Sequence, residues 1–319
     1  MIIVRITSGL GNQMYQYNFY KLMKERYPDV PVKADITWFY ANDEHHGYEL
    51  DRVFNHNGSA FGIEKATTRD IYKVTGQIPN FVKGSLGRTC QFLLGPVNRI
   101  LREKIHPDFV CNKIDRLEED KSNYFYDEVM NLDTDKDWYL FGFWIEEPFY
   151  KDRVDKLKDE FAFREFTDAT NKVIADEMAA GDSVSIHVRR GDYLSATYSD
   201  KFLSLGKDYY TKAVSIIKEK VANPKFFIFS DDAEFVKKEF AWLSDAVIVT
   251  NNTGFDSYKD MQLMSCCKHN IIANSTFSQW GSLLNRNDNH LTIYPATYMK
   301  DEGSEVKTMA GYIRVDKEQ

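Results

Sequence analysis

Two adjacent arginines follow the end of an apolar run that predicts a strand. Residues 187–193 read His-Val-Arg-Arg-Gly-Asp-Tyr, directly after the run at 184–186. A guanidinium presents a planar fork of donors that matches two phosphate oxygens, and it stays charged at any working pH. The pattern therefore indicates that Arg189 and Arg190 hold a diphosphate, with a solvated surface pair beside Asp192 as the structural alternative.

Two more polar clusters follow predicted strands. Phe-Ser-Asp-Asp at 229–232 offers a carboxylate that matches the N1–H and exocyclic amine of guanine, at Asp231 or Asp232. Asp232 equally suits an ordinary helix N-cap. Asn-Ser-Thr-Phe-Ser at 274–278 opens a predicted helix, where hydroxyls and free backbone amides suit phosphate oxygens. A capping cluster is the structural alternative there.

The segment Gly-Leu-Gly-Asn-Gln at 9–13 joins a first predicted strand to a first predicted helix, with Asn12 as the predicted N-cap. Backbone amides at a helix start suit an anion or a sugar hydroxyl. A dinucleotide-binding fingerprint would need a third glycine at position 14, which is Met14. Asp35 lies near the expected ribose position, so this interpretation stays as a minor alternative beside a tight structural turn.

A possible metal-binding pair lies at Asp133 and Asp135, which form a D-x-D pattern. Two carboxylates of this kind hold Mg²⁺ or Mn²⁺ when they follow a strand. Here they precede a predicted strand and lie inside a charged run at 133–137. The placement predicts a solvated loop rather than a metal site.

The composition is that of an ordinary globular chain of 319 residues, with a net charge of −7. An acidic chain argues against a nucleic-acid partner, so the basic residues of interest must be concentrated in a cleft. The four cysteines show no zinc-binding spacing. The apolar start at 2–6 is too short for a signal peptide, and no apolar run reaches a membrane-spanning length. We expect a cytoplasmic protein, with weak peripheral association at the inner face of the membrane as a further expectation.

Predicted strands and helices alternate along the chain. The strands are predicted at 2–6, 32–36, 138–144, 184–188, 226–229, 246–250 and 270–273, and the helices at 12–26, 146–160, 168–180, 209–221, 233–240, 257–267 and 278–284. This alternation predicts an α/β fold with parallel sheets covered on both faces. It restarts near residue 166, which predicts two domains, 1–165 and 166–319. Ligands of such sheets bind outside the carboxyl ends of the strands, where the clusters after 188, 229 and 273 lie.

Together these residues resemble the α-1,2-fucosyltransferase family. Its members share an N-terminal G-L-G-N-Q-M-x-Q-Y segment, here 9–17, and the arginine signature H-V-R-R-G-D-Y, here 187–193. They also share F-S-D-D, here 229–232, and N-S-T-F-S-x-W, here 274–280. The four motifs occur in the same order and spacing over nearly the whole chain, which is far more specific than any one of them.

The resemblance implies a GT-B-like fold, with two Rossmann-like domains that face a cleft. GDP-fucose is expected on the C-terminal domain and the acceptor on the N-terminal one. The implied reaction is an inverting transfer of L-fucose from GDP-β-L-fucose to the 2-hydroxyl of a terminal β-galactoside. It needs no metal and no cofactor beyond the donor substrate, because Arg189 and Arg190 supply the positive charge that stabilises the leaving GDP.

The resemblance also implies roles for single residues. Arg189 contacts the β-phosphate, Asp231 or Asp232 reads guanine, and Asp192 is the nearest candidate for the general base, although it equally suits orienting an arginine. The expected GDP-fucose-binding residues are Gly11, Asn12, His187, Arg189, Arg190, Asp231, Asp232, Asn274, Ser275, Thr276, Phe277 and Ser278. The expected catalytic residues are Arg189, Asp192 and Asn12.

Three other functions stay open at this point. A metal-dependent glycosyltransferase would act through Asp133 and Asp135. A protein that binds a sugar or nucleotide without turnover would use the same clusters, although paired arginines and a two-domain length favour an enzyme. An oxidoreductase would bind a dinucleotide through Gly9 and Gly11.

Overall fold

The computed structural model describes residues 1–42, 45–54, 61–105, 126–190, 204–297 and 311–315. The chain divides into two compact units, Met1–Asp152 and Arg153–Gln319. The predicted boundary lies at 165/166, so the segment 153–165 falls in the second unit of the structure. Each unit is built around a parallel β-sheet.

The first unit holds a three-stranded parallel sheet in the order β2-β1-β3. Its strands are β1 (Ile2–Arg5), β2 (Val32–Asp35) and β3 (Trp138–Leu140). Its helices are α1 (Leu10–Arg26), α2 (Trp38–Ala41), α3 (Leu50–Phe54), α4 (Thr68–Thr75) and α5 (Gly84–Ile105). Helix α1 is buried along most of its length, and the ring of Phe19 stacks on Trp144 with centroids 3.6 Å apart. These contacts fix α1 against the unit.

The second unit holds a six-stranded parallel sheet in the order β6-β5-β4-β7-β8-β9. Its strands are β4 (Asp182–Val188), β5 (Pro224–Ser230), β6 (Val247–Val249), β7 (His269–Ile271), β8 (Thr292–Pro295) and β9 (Ile313–Val315). Counted within the unit, this order is 3-2-1-4-5-6, that of a Rossmann sheet. The order in which strands are added reverses between β4 and β7: β5 and β6 lie on one side of β4, and β7, β8 and β9 lie on the other. Ligands of such sheets bind at the carboxyl ends of the strands where this reversal occurs.

Six α-helices of the described residues connect or cover this sheet. They are α6 (Val154–Glu160), α7 (Ala169–Ala180), α8 (Lys207–Lys220), α9 (Ala233–Glu239), α10 (Tyr258–Cys266) and α11 (Thr276–Leu283). Strand β4 is buried on both faces, as expected for a central parallel strand. A methyl group built on Gly281 would lie 2.9 Å from Cβ of Met264, so only a glycine lets α11 approach α10 this closely.

The predicted α/β class, with two units that are each built on a parallel sheet, is confirmed. Several element bounds are wrong. The strand predicted at 138–144 ends at Leu140. The helix predicted at 146–160 is replaced by two 3₁₀ turns, Glu147–Phe149 and Lys151–Arg153, before α6 begins at Val154. Strands β8 and β9 were not predicted at all.

The start of α1 also differs from the prediction. Gly9 is the N-cap, with extended backbone and no side-chain cap bond, and Asn12 lies inside the first turn. A methyl group on Gly9 would come within 3.3 Å of Nδ1 of His45, so the neighbouring loop packs closely on this turn. Because α1 begins at Leu10 with Gly9 as its N-cap, the predicted capping role of Asn12 is wrong.

Candidate functional site

The two arginines follow β4 directly, and each is held by a carboxylate at the end of β5. Nη1 of Arg189 lies 2.9 Å from Oδ2 of Asp231, and Nε of Arg190 lies 3.3 Å from Oδ2 of Asp232. The backbone N–H of Arg190 donates to Oδ1 of Asp231 at 2.9 Å. All four side chains are partly exposed. The cluster fixes two guanidiniums at the carboxyl edge of the sheet while leaving them open to a ligand.

The end of β5 explains why these carboxylates point toward β4. Ser230 lies opposite Val188 in the sheet, and its hydroxyl donates to the Val188 carbonyl at 2.8 Å. The same hydroxyl accepts from the Asp232 N–H at 3.0 Å, which turns the chain. Oδ1 of Asp232 then accepts from the Phe235 N–H at 3.0 Å and caps α9. The capping role predicted for Asp232 is confirmed.

Phe235 adds a contact that the motif alone did not indicate. The guanidinium carbon of Arg190 lies 3.4 Å from the centroid of the Phe235 ring. A cation over an aromatic face is attracted by the ring quadrupole. Arg190 is thus oriented from two sides, by a carboxylate and by a ring.

Asp231 and Asp232, the two candidates for guanine recognition, each form an ion pair with an arginine in the structure. Asp231 uses one oxygen for Arg189 and the other for the Arg190 N–H, and Asp232 uses one oxygen for Arg190 and the other for the α9 cap. Each carboxylate oxygen has a second lone pair, so these bonds leave acceptor capacity. Guanine recognition by either residue stays a prediction, and positioning of the arginines is what the geometry shows.

The turn between β7 and α11 holds the third cluster. Ser275 is the N-cap of α11, and its hydroxyl accepts from the Phe277 N–H at 3.3 Å. The hydroxyl of Ser278 is buried and accepts from the Ala273 N–H at 3.2 Å, so it stabilises the turn. The half-buried Thr276 hydroxyl makes no hydrogen bond within the described part of the chain. The free donors of the first helical turn and the Thr276 hydroxyl are the groups that remain for an anion.

The phenols of two neighbouring tyrosines hold the strands on both sides of the crevice. The hydroxyl of Tyr210 donates to the His187 carbonyl at 3.0 Å, at the end of β4. The hydroxyl of Tyr209 donates to the Ile272 carbonyl at 2.6 Å, just after β7. Sequence reasoning missed both residues. Their signal is a tyrosine pair at the start of a helix, since a buried phenol needs a hydrogen-bond partner.

His187 lies on β4, just before the arginine pair. It is 4 % exposed, and its Nδ1 has no hydrogen-bond partner among the residues that the structure describes. Burial and the neighbouring charge of Arg189 lower the pKa of His187 to about 3, so the ring is neutral at ordinary pH. Its centroid lies 5.8 Å from that of Phe277 on α11. The arginine cluster and the α11 turn therefore lie side by side, as the sequence predicts.

The Gly-Leu-Gly-Asn-Gln segment lies in the first unit, at the start of α1. Gly11 is buried, and the half-buried Asn12 side chain forms no hydrogen bond within the described residues. The next amide, Gln13, is fully buried and donates to the carbonyls of Ser8 and Gly47 at 2.8 and 2.9 Å. Asn12 is thus the polar group of this turn that is left for a ligand, while Gln13 positions the loop.

A second buried amide, Gln16, was also missed from the sequence. It accepts from the Thr7 N–H at 2.8 Å and donates to the Gly142 carbonyl at 3.0 Å. Its signal is a glutamine three residues after Gln13, inside a helix whose other residues are mostly buried. Such side chains are retained to satisfy loop backbone groups.

The remaining candidates are Asp192 and the pair Asp133 and Asp135. Asp192, the candidate base, lies outside the residues that the structure describes. Asp133 and Asp135 are exposed, and Asp133 accepts from the Asp135 N–H at 3.1 Å and lies 3.5 Å from Nζ of Lys136. Within the described ranges no group of three His, Cys, Asp or Glu residues is placed to hold a metal. The prediction of a solvated loop is confirmed.

The dinucleotide interpretation does not fit the structure. Asp35 is buried, and its two oxygens accept from the Thr37 N–H at 2.8 Å and from the Tyr139 hydroxyl at 2.5 Å. A carboxylate committed inside the unit is not available to a ribose. No helix of the described residues is both long and apolar enough to cross a membrane.

Residues 73–312 match the family model of glycosyl transferase family 11. The chain belongs to this family. It is 30 % identical over 309 residues to an α-1,2-colitosyltransferase of Escherichia coli, covering 95 % of this chain and 93 % of that protein. It is also 30 % identical over 117 residues to the galactoside 2-α-L-fucosyltransferase Sec1 of Mus musculus, covering 36 % and 31 % of the two chains.

A solved structure also resembles this family 11 glycosyltransferase. The α-1,6-fucosyltransferase NodZ, co-crystallised with GDP, superposes with a TM-score of 0.49 and 14 % identity, over 89 % of this chain and 91 % of that one.

Because His187 is neutral in the folded protein, we expect the free energy of unfolding to fall in acid. The unfolded chain binds a proton near pH 6.5, whereas the folded ring binds it near pH 3, so the free energy of unfolding falls as pH falls between these values. Near pH 5 this group contributes a slope of about 1.4 kcal/mol per pH unit. We expect His187→Asn and His187→Phe to show a shallower pH dependence in denaturant titrations.

A second buried group, Asp260, also titrates in this pH range, so the slope of the wild type alone does not isolate His187. Burial raises its pKa to about 7, so it titrates in the same window with the opposite sign. The measurement is therefore the difference in slope between wild type and each His187 variant. Equal slopes in all three proteins would show that His187 is already protonated or is paired in the folded state.

Proposed function

We propose that the protein transfers L-fucose from GDP-β-L-fucose to the 2-hydroxyl of a terminal β-galactoside, with inversion and without a metal. The observation that carries this proposal is the pair Arg189 and Arg190. It lies at the carboxyl end of a central strand of a Rossmann sheet, beside the N-terminus of α11, where Ser275 caps only one of the first-turn N–H groups. That is where a nucleoside diphosphate binds in such sheets.

The chemistry needs fixed positive charge on the leaving group. As the bond from fucosyl C1 to the β-phosphate oxygen breaks, the ring gains oxocarbenium character and GDP takes the electron pair. Donors that are already oriented stabilise that charge without reorganising at the moment of reaction. Arg189, held by Asp231, is the proposed β-phosphate ligand, and Arg190 assists it. Thr276 and the first-turn amides of α11 are the proposed further phosphate donors, whereas Ser278 supports the turn.

The proposed acceptor-side residues are Asn12, in the first unit, and Asp192, which lies outside the residues that the structure describes. Asn12 has a free amide at the start of α1 and is proposed to bind fucose or the acceptor. The acceptor hydroxyl must lose its proton as the new C1–O bond forms on the face opposite GDP. Asp192 is the proposed base, because it is the carboxylate nearest the arginine pair in sequence.

The relatives support the α-1,2 linkage and suggest a second donor. One is named an α-1,2-colitosyltransferase and one a galactoside 2-α-L-fucosyltransferase, so both names specify transfer to a 2-position. The colitosyl relative aligns over nearly the whole chain, and the fucosyl relative over about a third of it. A colitosyl group on the same nucleotide is therefore the second candidate donor.

The proposed reaction is tested by incubating the purified protein with GDP-fucose and β-galactoside oligosaccharides. We expect GDP release that depends on acceptor and a product with an α-1,2-linked fucose in linkage analysis. GDP-colitose in parallel separates the two donors. GDP binding without release in the presence of any galactoside would favour a binding protein instead.

Metal dependence distinguishes the arginine mechanism from a metal-dependent one that acts through Asp133 and Asp135. If the arginines carry the diphosphate charge, activity persists in excess EDTA. The double variant Asp133→Asn with Asp135→Asn then keeps wild-type turnover, since exposed loop changes usually move stability by less than about 0.5 kcal/mol. Loss of turnover on chelation, restored by Mn²⁺ or Mg²⁺, would transfer the role to a metal ion.

The arginine cluster predicts a graded series of variants. Arg189→Ala loses a charge-assisted donor to the leaving phosphate, which is expected to cost about 2.7–4 kcal/mol, or a 10²–10³-fold fall in kcat, as for a lost oxyanion donor. Arg189→Lys fails nearly as badly, because a point charge does not reproduce the fork. The matched control is Arg286→Ala, which removes an exposed arginine paired with Asp159 in the same unit. Wild-type turnover in either Arg189 variant would refute the assignment.

Asp231→Asn separates positioning from guanine reading. A positioning residue lowers kcat while the ratio of GDP to ADP affinity, measured by calorimetry, stays constant. A guanine reader loses that ratio as well. The same comparison for Asp232→Asn assigns the second carboxylate.

A further inference from the structure

We propose that α5 and the segment before it form a docking surface for an anionic lipid bilayer. This inference does not rest on the proposed fucosyl transfer. The observation is a long helix whose large apolar side chains are exposed, within a basic stretch of an otherwise acidic chain.

The apolar side chains of α5 form a stripe. Exposed fractions are 65 % for Leu86, 64 % for Leu93, 47 % for Val97 and 53 % for Ile100. The spacings of seven, four and three residues place these four on one face of a helix. Phe92, beside the stripe, is 80 % exposed. A contiguous apolar surface of this kind is uncommon on a water-facing helix and marks an interaction site.

The segment at 77–83 widens this surface and anchors the helix. Asn98 of α5 accepts from the Ile78 N–H at 2.9 Å and donates to the Ile78 carbonyl at 3.2 Å. Asn80 donates to the Gly87 carbonyl at 2.9 Å, and a methyl group on Gly87 would clash with the Val82 carbonyl. These bonds lie on another side of α5 from the stripe, and Phe81 and Val82 are themselves exposed.

Charge identifies the kind of partner. From residue 83 to 105 the sequence holds five lysines or arginines and one glutamate, whereas the whole chain carries −7. Lys83 and Arg99 are exposed in the structure. A helix that combines an apolar stripe with an excess of basic residues lies in the interface of an anionic membrane, with its apolar face among the acyl chains. A hydrophobic protein partner would not require this local excess of positive charge.

The length of α5 agrees with a surface-bound rather than a spanning helix. It has 22 residues, and it is not apolar enough to cross a bilayer. Pro96 in its middle cannot bond the Phe92 carbonyl, so the ladder is interrupted beside the most exposed side chain. An interface with headgroups and water can satisfy that carbonyl.

The test is flotation of the full chain with vesicles. One set contains equal parts phosphatidylglycerol and phosphatidylcholine, and the other contains phosphatidylcholine alone. We expect binding to the anionic set that weakens with salt and is far weaker on the neutral set. Phe92→Ser with Leu93→Ser should reduce partitioning by on the order of tenfold or more, since two large side chains leave the lipid. Lys83→Gln with Arg99→Gln should reduce it about fivefold per residue.

Control variants and control measurements distinguish a lipid bilayer from other partners that could cover the apolar stripe of α5. Val173→Ser, at a 65 % exposed apolar residue on α7, should leave vesicle binding unchanged. Turnover on a water-soluble acceptor should be unchanged in the α5 variants, so failure of the proposed activity would not affect this test. Equal binding to both vesicle sets, or none, overturns the proposal. So does an oligomer that only the α5 variants dissociate, which would place a second copy of this chain on the stripe.

Discussion

The proposed donor site depends on two ion pairs that join the ends of neighbouring strands. Arg189 and Arg190 are consecutive, and without opposite charge their guanidiniums would repel each other and swing into solvent. Asp231 and Asp232, one strand away, give each arginine a fixed partner. The pairs are partly exposed, so they contribute little to stability by themselves. Their effect is orientation: guanidinium donors already aimed and partly desolvated cost less to organise around a departing diphosphate.

The neutral His187 completes this electrostatic arrangement. It lies on β4, two residues before Arg189, and its Nδ1 has no hydrogen-bond partner among the residues that the structure describes. Burial and the charge of Arg189 both lower its pKa, so the ring stays neutral and contributes shape without charge. Tyr209 and Tyr210 fix the two strand ends that border the crevice. The sheet order, which puts β4 between β5 and β7, is what brings all these groups to one edge.

The sequence predicted the alternation, the parallel sheets and the motifs at strand ends, because those follow from local hydrophobic runs and turn residues. It did not predict what Asp231 and Asp232 contact, since which strands become neighbours is decided by the whole sheet. Strands β8 and β9 were missed because they lie beyond the last predicted helix, where short apolar runs are separated by polar stretches such as 285–290. Gln13, Gln16 and the tyrosine pair were missed because their partners are backbone groups that the chain places only when it folds.

Charge is distributed in two different ways on this acidic chain. In the second unit the arginines are matched by carboxylates, so their field is short-ranged and acts on a ligand already in the crevice. In the first unit the segment 83–105 carries five basic residues and one glutamate, and such a local excess of positive charge attracts an anionic surface. The first unit is also the one that carries Asn12, the proposed contact to fucose or the acceptor. Attachment through α5 would therefore bring the unit that carries Asn12 to the membrane surface.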